Sequence, residues 1–461
     1  MKFLKNKKGL FLVYMLIAAL AGMSNFMEPA NVLVATSIVL SLLVILAGDE
    51  MAVIYLMLAL MPFFNSLNFG GLAAGFVIPL FAIFKMFMYP SYGKGSLGFF
   101  IVIFLMVWFL HDIQYLTFAS TVFSLLVPYY IFYNICNKKF DKYDGYYAMW
   151  LVIATTLVAL VSVFMVQGGN LDAFLHSSYA GEMRLGEAAT DEGEKNQLGG
   201  AMGFPIFTMT IITLLVQMLL TRQYKLWKKL SILLLISTLF FITFLTVSRV
   251  YLLGLGTMII ILILHLLKSK SVYVLLTVFV GGLLLSIFAY LYMSDFWDTV
   301  MFNYLGRMED DGGQSGTGVR GLIYLSCIEY LGENLECLLI GKGNGAYPLI
   351  GASMHELFSF SAHNIILDAL MSFGIIGSLI LIVIYRRAYK KESLRTNISW
   401  SLFRIMPFVV IFVMYQTGSP FLQDKTYPFL MFLILNIIHC TDGTMYDPEW
   451  CAEIGLKHKK I

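Results

Sequence analysis

AMGFPIFTMTIITLLVQMLLTRQYKLWKKLSILLLISTLFFITFLTVSRVYLLGLGTMIIILILHLLKSK, residues 201–270, holds long apolar runs that charge interrupts at only a few places. A hydrocarbon core about 30 Å thick takes roughly 20 apolar helical residues to cross. The runs 198–220, 231–247 and 250–267 meet that length. Arg222, Lys225, Lys228 and Lys229 fill the first gap, Ser248-Arg249 is a very short turn, and Lys268 and Lys270 follow the last run. Basic residues in short loops are retained on the cytoplasmic side, so this stretch reads as three successive crossings with one inner gap, one outer turn and an inner exit.

Worked outward, the same pattern covers the chain. With 59% hydrophobic and 13% charged residues and a mean hydropathy of +0.80, it cannot assemble a water-soluble surface. The sequence predicts an all-α polytopic membrane protein with about fourteen transmembrane helices. They lie near 9–27, 30–47, 51–65, 71–89, 98–116, 118–136, 146–167, 198–220, 231–247, 250–267, 272–292, 364–385, 400–418 and 427–440. Lys2, Lys5, Lys7 and Lys8 set the N-terminus inside. The even-numbered gaps then collect Lys94, Lys138, Lys139, Lys142, the Arg222–Lys229 cluster, Lys268, Lys270, Arg386, Arg387, Lys390, Lys391 and Arg395. Both termini are expected in the cytoplasm, and failure of one of the short runs 51–65 or 427–440 would put them on opposite sides. The Lys-rich start followed by Ala19-Leu20-Ala21 also fits a cleavable secretory signal, which would leave the remaining topology unchanged.

The net charge of +3 is accounted for by this topology, and nucleic acid is not expected as a partner. Cys136, Cys327, Cys337, Cys440 and Cys451 show no paired metal spacing. On one straight helix Cys327 and Cys337 stand about 15 Å apart, too far for a disulfide. The organisation expected is one transmembrane domain, 1–461, with two external inserts at 168–197 and 293–363.

Those inserts hold most of the cations left outside. The first carries Arg184 among Glu182, Glu187, Asp191, Glu192, Glu194 and Lys195, followed by Asn196 at the mouth of the next span. Arg184 is either held by its acidic neighbours in a weak surface pair or free to meet an anion. The second insert passes Arg307 in a turn-rich stretch. It then forms a helix from Arg320 to about Leu339, with an apolar stripe of Leu322, Ile323, Leu325, Ile328, Leu331, Leu335, Leu338 and Leu339. Such an amphipathic helix can lie along the bilayer surface. Gly341-Lys342-Gly343-Asn344-Gly345 reads either as a helix-ending turn or as backbone that can approach an anion. His363-Asn364 closes the insert, and Asp368, one turn into the next span, should face the protein interior. Arg249 can snorkel to lipid phosphates. Together Arg184, Arg249, Arg307 and Arg320 offer planar forks suited to phosphate oxygens, beside a histidine that titrates near neutrality.

Ser248-Arg249 with Leu252 and Gly254, Gly318-Val319-Arg320, Leu339-Ile340-Gly341-Lys342-Gly343, and His363-Asn364-Ile365-Ile366-Leu367 with Phe373-Gly374 and Ile376-Gly377 follow one another over about 250–380. In this order they resemble the O-antigen polymerase and O-antigen ligase superfamily of bacterial membrane glycosyltransferases; the valine before Arg320 departs from the small residue expected there. The resemblance implies transfer of a glycan from an undecaprenyl-diphosphate carrier to a sugar hydroxyl at the outer face of the cytoplasmic membrane, without metal or nucleotide sugar. It assigns Arg184 and Arg320 to the diphosphate and His363 to the acceptor hydroxyl as catalytic residues, with Arg249, Arg307, Asn196, Asn364 and Lys342 binding substrate; the base is either His363 or a carboxylate. The donor and acceptor would both be carrier-linked glycans in a polymerase destined for capsule, O-antigen or exopolysaccharide. Flippase and chain-length regulator proteins would be accompanying partners of such an enzyme.

Two other functions compete. A ligase of the same superfamily would pass finished glycan to another acceptor; the large external insert and the absence of an acceptor-binding signature favour the polymerase. A polysaccharide flippase or transporter would suit so many spans, but transporters place ionisable residues at mid-membrane, often in repeats. Only Lys85, Arg404 and Asp368 are strongly ionisable within the predicted spans. A transporter would keep working with Arg320 and His363 neutralised.

Overall fold

The computed structural model describes residues 7–63, 67–69, 72–73, 78, 81–82, 85, 142–166, 187–188, 195–196, 200–221, 224–244, 248–268, 317–342, 364–393, 402–403 and 405–416. The predicted spans 98–116, 118–136, 272–292 and 427–440 lie outside these residues. Helices α1 (Lys7–Met23), α2 (Ala30–Ala47), α3 (Glu50–Leu60), α4 (Lys142–Val166), α5 (Gly200–Thr221), α6 (Leu226–Phe244) and α7 (Arg249–Lys268) precede the second insert. Within and after it come α8 (Thr317–Glu333), α9 (Leu335–Ile340), α10 (Ile365–Ser393) and α11 (Met406–Met414). Two antiparallel ladders of two residues each, β1 (Asn68–Phe69) with β2 (Leu72–Ala73) and β3 (Glu187–Ala188) with β4 (Lys195–Asn196), qualify the all-α expectation.

Ala30–Ala47, Tyr147–Met165, Leu226–Phe244 and Val250–Leu267 are each long and apolar enough to cross a membrane. Their outward faces are greasy: Leu46 is 72%, Trp227 80% and Leu234 71% exposed. A soluble protein would cover such faces, so they are the surface left for lipid. The molecule is a multi-pass membrane protein. Its main core joins α1, α2, α3 and α4 to α5, α7 and α11.

Hydropathy located most of these helices but not their ends. α6 begins at Leu226 rather than 231, taking Lys228 and Lys229 into its first turns. Lysine is a good helix former whose stem lies along apolar surface, so a charge does not mark where a helix starts. The β1–β2 turn occupies the expected start of the 71–89 span. Lys85 donates to the carbonyls of Ile45, Leu46 (2.9 Å) and Gly48 (2.6 Å). A cation there satisfies the free acceptors at the end of α2 and complements its dipole.

The long amphipathic helix expected from Arg320 to Leu339 is broken at Asn334 into α8 and α9. Its stripe divides accordingly: Ile323 and Leu331 turn inward beside Cys327, whereas Leu325, Ile328, Leu335 and Leu339 are exposed. The inward side joins Cys337, Leu338, Leu367, Leu370 and Met371 in a second, separate apolar cluster. The span expected at 364–385 is also not one rod. Gly374, with φ 63° and ψ −172°, interrupts α10. Nine residues of unbroken helix cover about 13 Å, yet the Ser378 hydroxyl donates to the Ala369 carbonyl at 3.2 Å, nine positions away. The chain therefore turns sharply at Gly374, and only its first half contributes to the second cluster.

Candidate functional site

The second cluster and the end of α11 form the frame on which the motifs gather. α8, α9 and α10 pack on one another in pairs, and their shared contacts bury Cys327 and Cys337 as free thiols. Burial, reinforced by the negative charge of Asp368, pushes the Cys327 thiol up to about 12; burial is also the main reason Cys337 is raised. Both are held as neutral, unreactive side chains. Asp368 is 2% exposed and faces inward, as expected.

The glycine motifs meet backbone to backbone. Gly341 ends α9 with φ 81°, its N–H donating to the Cys337 carbonyl at 2.8 Å. A Cβ on Gly341 would lie 2.5 Å from Phe373 N and Ser372 O, and one on Gly374 would lie 2.5 Å from Gly341 N and Leu339 C. Only paired glycines allow that approach. The Lys342 N–H then donates to the Met371 carbonyl at 2.9 Å, and Ser378 caps the Ala369 carbonyl, so acceptors freed by the break in α10 are satisfied. This decides between the two readings of the 341–345 stretch at its first residues: Gly341 and Lys342 make a helix-ending turn whose amides are used within the protein.

The expected site residues fare unequally. Arg184, Arg307 and His363 lie outside the described residues. Asn196 is on β4, opposite Glu187. Arg249 is the first residue of α7, and Arg320 is in the first turn of α8. The side chain of Lys342 is exposed, donating to the Tyr330 hydroxyl at 3.2 Å with its Nζ 5.9 Å from the ring centre. That hydrogen bond is the main reason its ammonium holds its proton above the usual lysine range.

Asn364 is committed at both ends. Its Oδ1 accepts from Ile366 N (3.0 Å) and Leu367 N (3.2 Å), capping α10, while Nδ2 donates to the Gln416 carbonyl at 3.4 Å. Next to it, Ile365 N donates to the Tyr415 carbonyl at 3.2 Å. From α8, one turn after Arg320, the Tyr324 hydroxyl donates to the same Gln416 carbonyl at 3.2 Å. On the other side of α11, Met414 fills the notch at Gly254, where a Cβ would meet its sulfur at 2.6 Å. The starts of α7, α8 and α10 are thus tied, directly or through α11, to one helix end.

Tyr324, Tyr330, Met414 and Gln416 were not singled out from the sequence. A glutamine at the end of the apolar run 400–418 was the available signal, since a polar side chain there needs a partner. Among the described residues, no three His, Cys, Asp or Glu side chains are grouped to hold a metal ion.

No curated protein matches the chain. A family model described as O-Antigen ligase matches residues 231–382, a stretch that contains Arg249, Arg320, Gly341, Asn364 and Gly374. The match stops before α11. Over residues 231–382, the chain is thus similar to the O-antigen polymerase and ligase superfamily.

Proposed function

We propose that the protein is a polymerase that joins undecaprenyl-diphosphate-linked oligosaccharide repeat units into a surface polysaccharide at the outer face of the cytoplasmic membrane. The observation that carries this reading is the shared cluster of α8 and α10. The helix with Arg320 in its first turn and the helix that begins immediately after His363-Asn364 belong to one packed unit, as a two-part glycosyl-transfer site requires.

In the reaction, the acceptor sugar's hydroxyl oxygen attacks the anomeric carbon of the donor. The bond from that carbon to the diphosphate oxygen breaks, and the lipid diphosphate leaves with the electron pair. The hydroxyl proton passes to His363, a step of the kind worth typically 10²–10⁴-fold. Arg184 and Arg320 neutralise charge developing on the leaving diphosphate, with Arg249, Arg307 and Lys342 along the anionic path and Asn196 and Asn364 at its margins. The carrier linkage supplies the activation, so the scheme uses neither ATP nor metal.

The test is purified protein in liposomes with lipid-linked repeat units. The wild type builds a ladder of chain lengths, while Arg320→Ala and His363→Ala, although inserted, do not. Normal ladders from both variants would remove the site assignment, and dependence on ATP or a divalent cation would count against the mechanism.

The ligase reading draws on the description of the matching family. Cells lacking the protein separate the two: loss of a polymerase leaves single repeat units, and loss of a ligase leaves full chains on the carrier.

A further inference from the structure

The Gln416 carbonyl accepts from two side chains that reach it from different helices, 92 and 52 positions away in sequence. Tyr324 is four residues after Arg320, which on a helix is the same face one turn on. Asn364 is bonded in sequence to His363. The acceptor is itself fixed: the Gln416 N–H donates to the Val413 carbonyl at 3.1 Å, and the Gln416 amide folds back onto the Phe412 carbonyl at 3.2 Å. Tyr415 is buried and its carbonyl is taken by Ile365 N. A rigid helix end therefore holds, on one oxygen, a side chain of α8 and the residue that caps the start of α10.

We propose that Tyr324 and Gln416 are positioning residues for glycosyl transfer: the paired hydrogen bonds from Tyr324 and Asn364 to the Gln416 carbonyl set the start of α8, which carries Arg320, against the start of α10, which follows His363 in sequence. This rests on the proposed function above and deepens it, because neither Tyr324 nor the end of α11 touches substrate in that scheme. In the first half of α10, Leu367, Leu370 and Met371 pack on α8 and α9, while Ile365 and Phe373 reach the main core. Together with Ile365 N on the Tyr415 carbonyl and the Ile365 and Phe373 contacts, the paired bonds to Gln416 register this unit against the main core. A slip of about 1 Å between a charge-stabilising group and a base is enough to cost on the order of 10²-fold.

The test compares Tyr324→Phe and Asn364→Asp with wild type in the liposome assay. Phenylalanine keeps the ring and loses the donor; aspartate keeps the oxygen that caps α10 and loses the amide donor. Each is expected to lower kcat about tenfold or more, with KM within about threefold and melting temperature within a few degrees of wild type. In an Arg320→Lys background, Tyr324→Phe should cost less than about twofold further, because the group it positions has already been replaced. Unchanged kcat in Tyr324→Phe, a change confined to KM, or full additivity with Arg320→Lys would each overturn the inference. If instead Arg320→Ala and His363→Ala retain full activity, the functional reading fails first, and the two failures are told apart by those controls.

Discussion

Replacing Gly374 by alanine tests the junction between α9 and α10. Its backbone, φ 63° and ψ −172°, lies in a region that is essentially glycine's alone and costs other residues about 1–3 kcal/mol. The added methyl would also stand 2.5 Å from Gly341 N and Leu339 C. These are backbone atoms that cannot rotate away, and overpacking of this kind adds about 1–3 kcal/mol. The sum, about 2–6 kcal/mol, is a large part of the roughly 5–15 kcal/mol that holds a typical domain together. The damage should be local, because the partners of Gly374 belong to α9. Cys337, buried in that helix with its Sγ 4.0 Å from the Met371 carbonyl, reports the opening. At 1.4 kcal/mol per tenfold, Gly374→Ala should raise the maleimide labelling rate of Cys337 about 30-fold to 10⁴-fold, read by mass spectrometry of its peptide. A labelling rate within about twofold of wild type, with an unchanged melting temperature, would refute the glycine-to-glycine contact.

Other glycines should behave oppositely. A Cβ at Gly256 or Gly332 meets nothing within 4 Å, so Gly256→Ala and Gly332→Ala should be neutral or stabilise their helices by up to about 1 kcal/mol, seen as an equal or higher melting temperature. Gly254→Val, which drives a branched side chain into Met414, should weaken the α7–α11 contact and lower melting by several degrees. The Cys327 thiol, pushed up to about 12, stays protonated across the physiological range. Its alkylation in the native protein should remain negligible from pH 7 to about 10 and appear on denaturation. Hydrogen bonding to Tyr330 favours the charged form of Lys342. Its contribution to activity should therefore persist as pH rises and fade only above the ordinary lysine value of about 10.4, and the ratio of wild-type to Lys342→Met rates should be flat below that point.

Much of this protein is legible without coordinates because crossing a membrane is a property of local composition. A run's transfer free energy depends on its residues and length, which is why 30–47 and 250–267 coincide with α2 and lie within α7. The motifs around Arg249, Arg320, Gly341 and His363-Asn364 could likewise be picked out as separate marks in order. Hydropathy says nothing about a bend, so the turn at Gly374 passed as the middle of a span, and one stripe from Arg320 to Leu339 concealed the break at Asn334. The roles of Tyr324, Asn364 and Gln416 depend on oxygen and nitrogen atoms meeting across long separations in sequence. A contact of that kind has no periodicity to betray it. Membrane class, helix positions and candidate chemistry were written in the order of the residues, whereas which motifs touch, which glycines are indispensable and which carbonyl joins two helices were decided by packing alone.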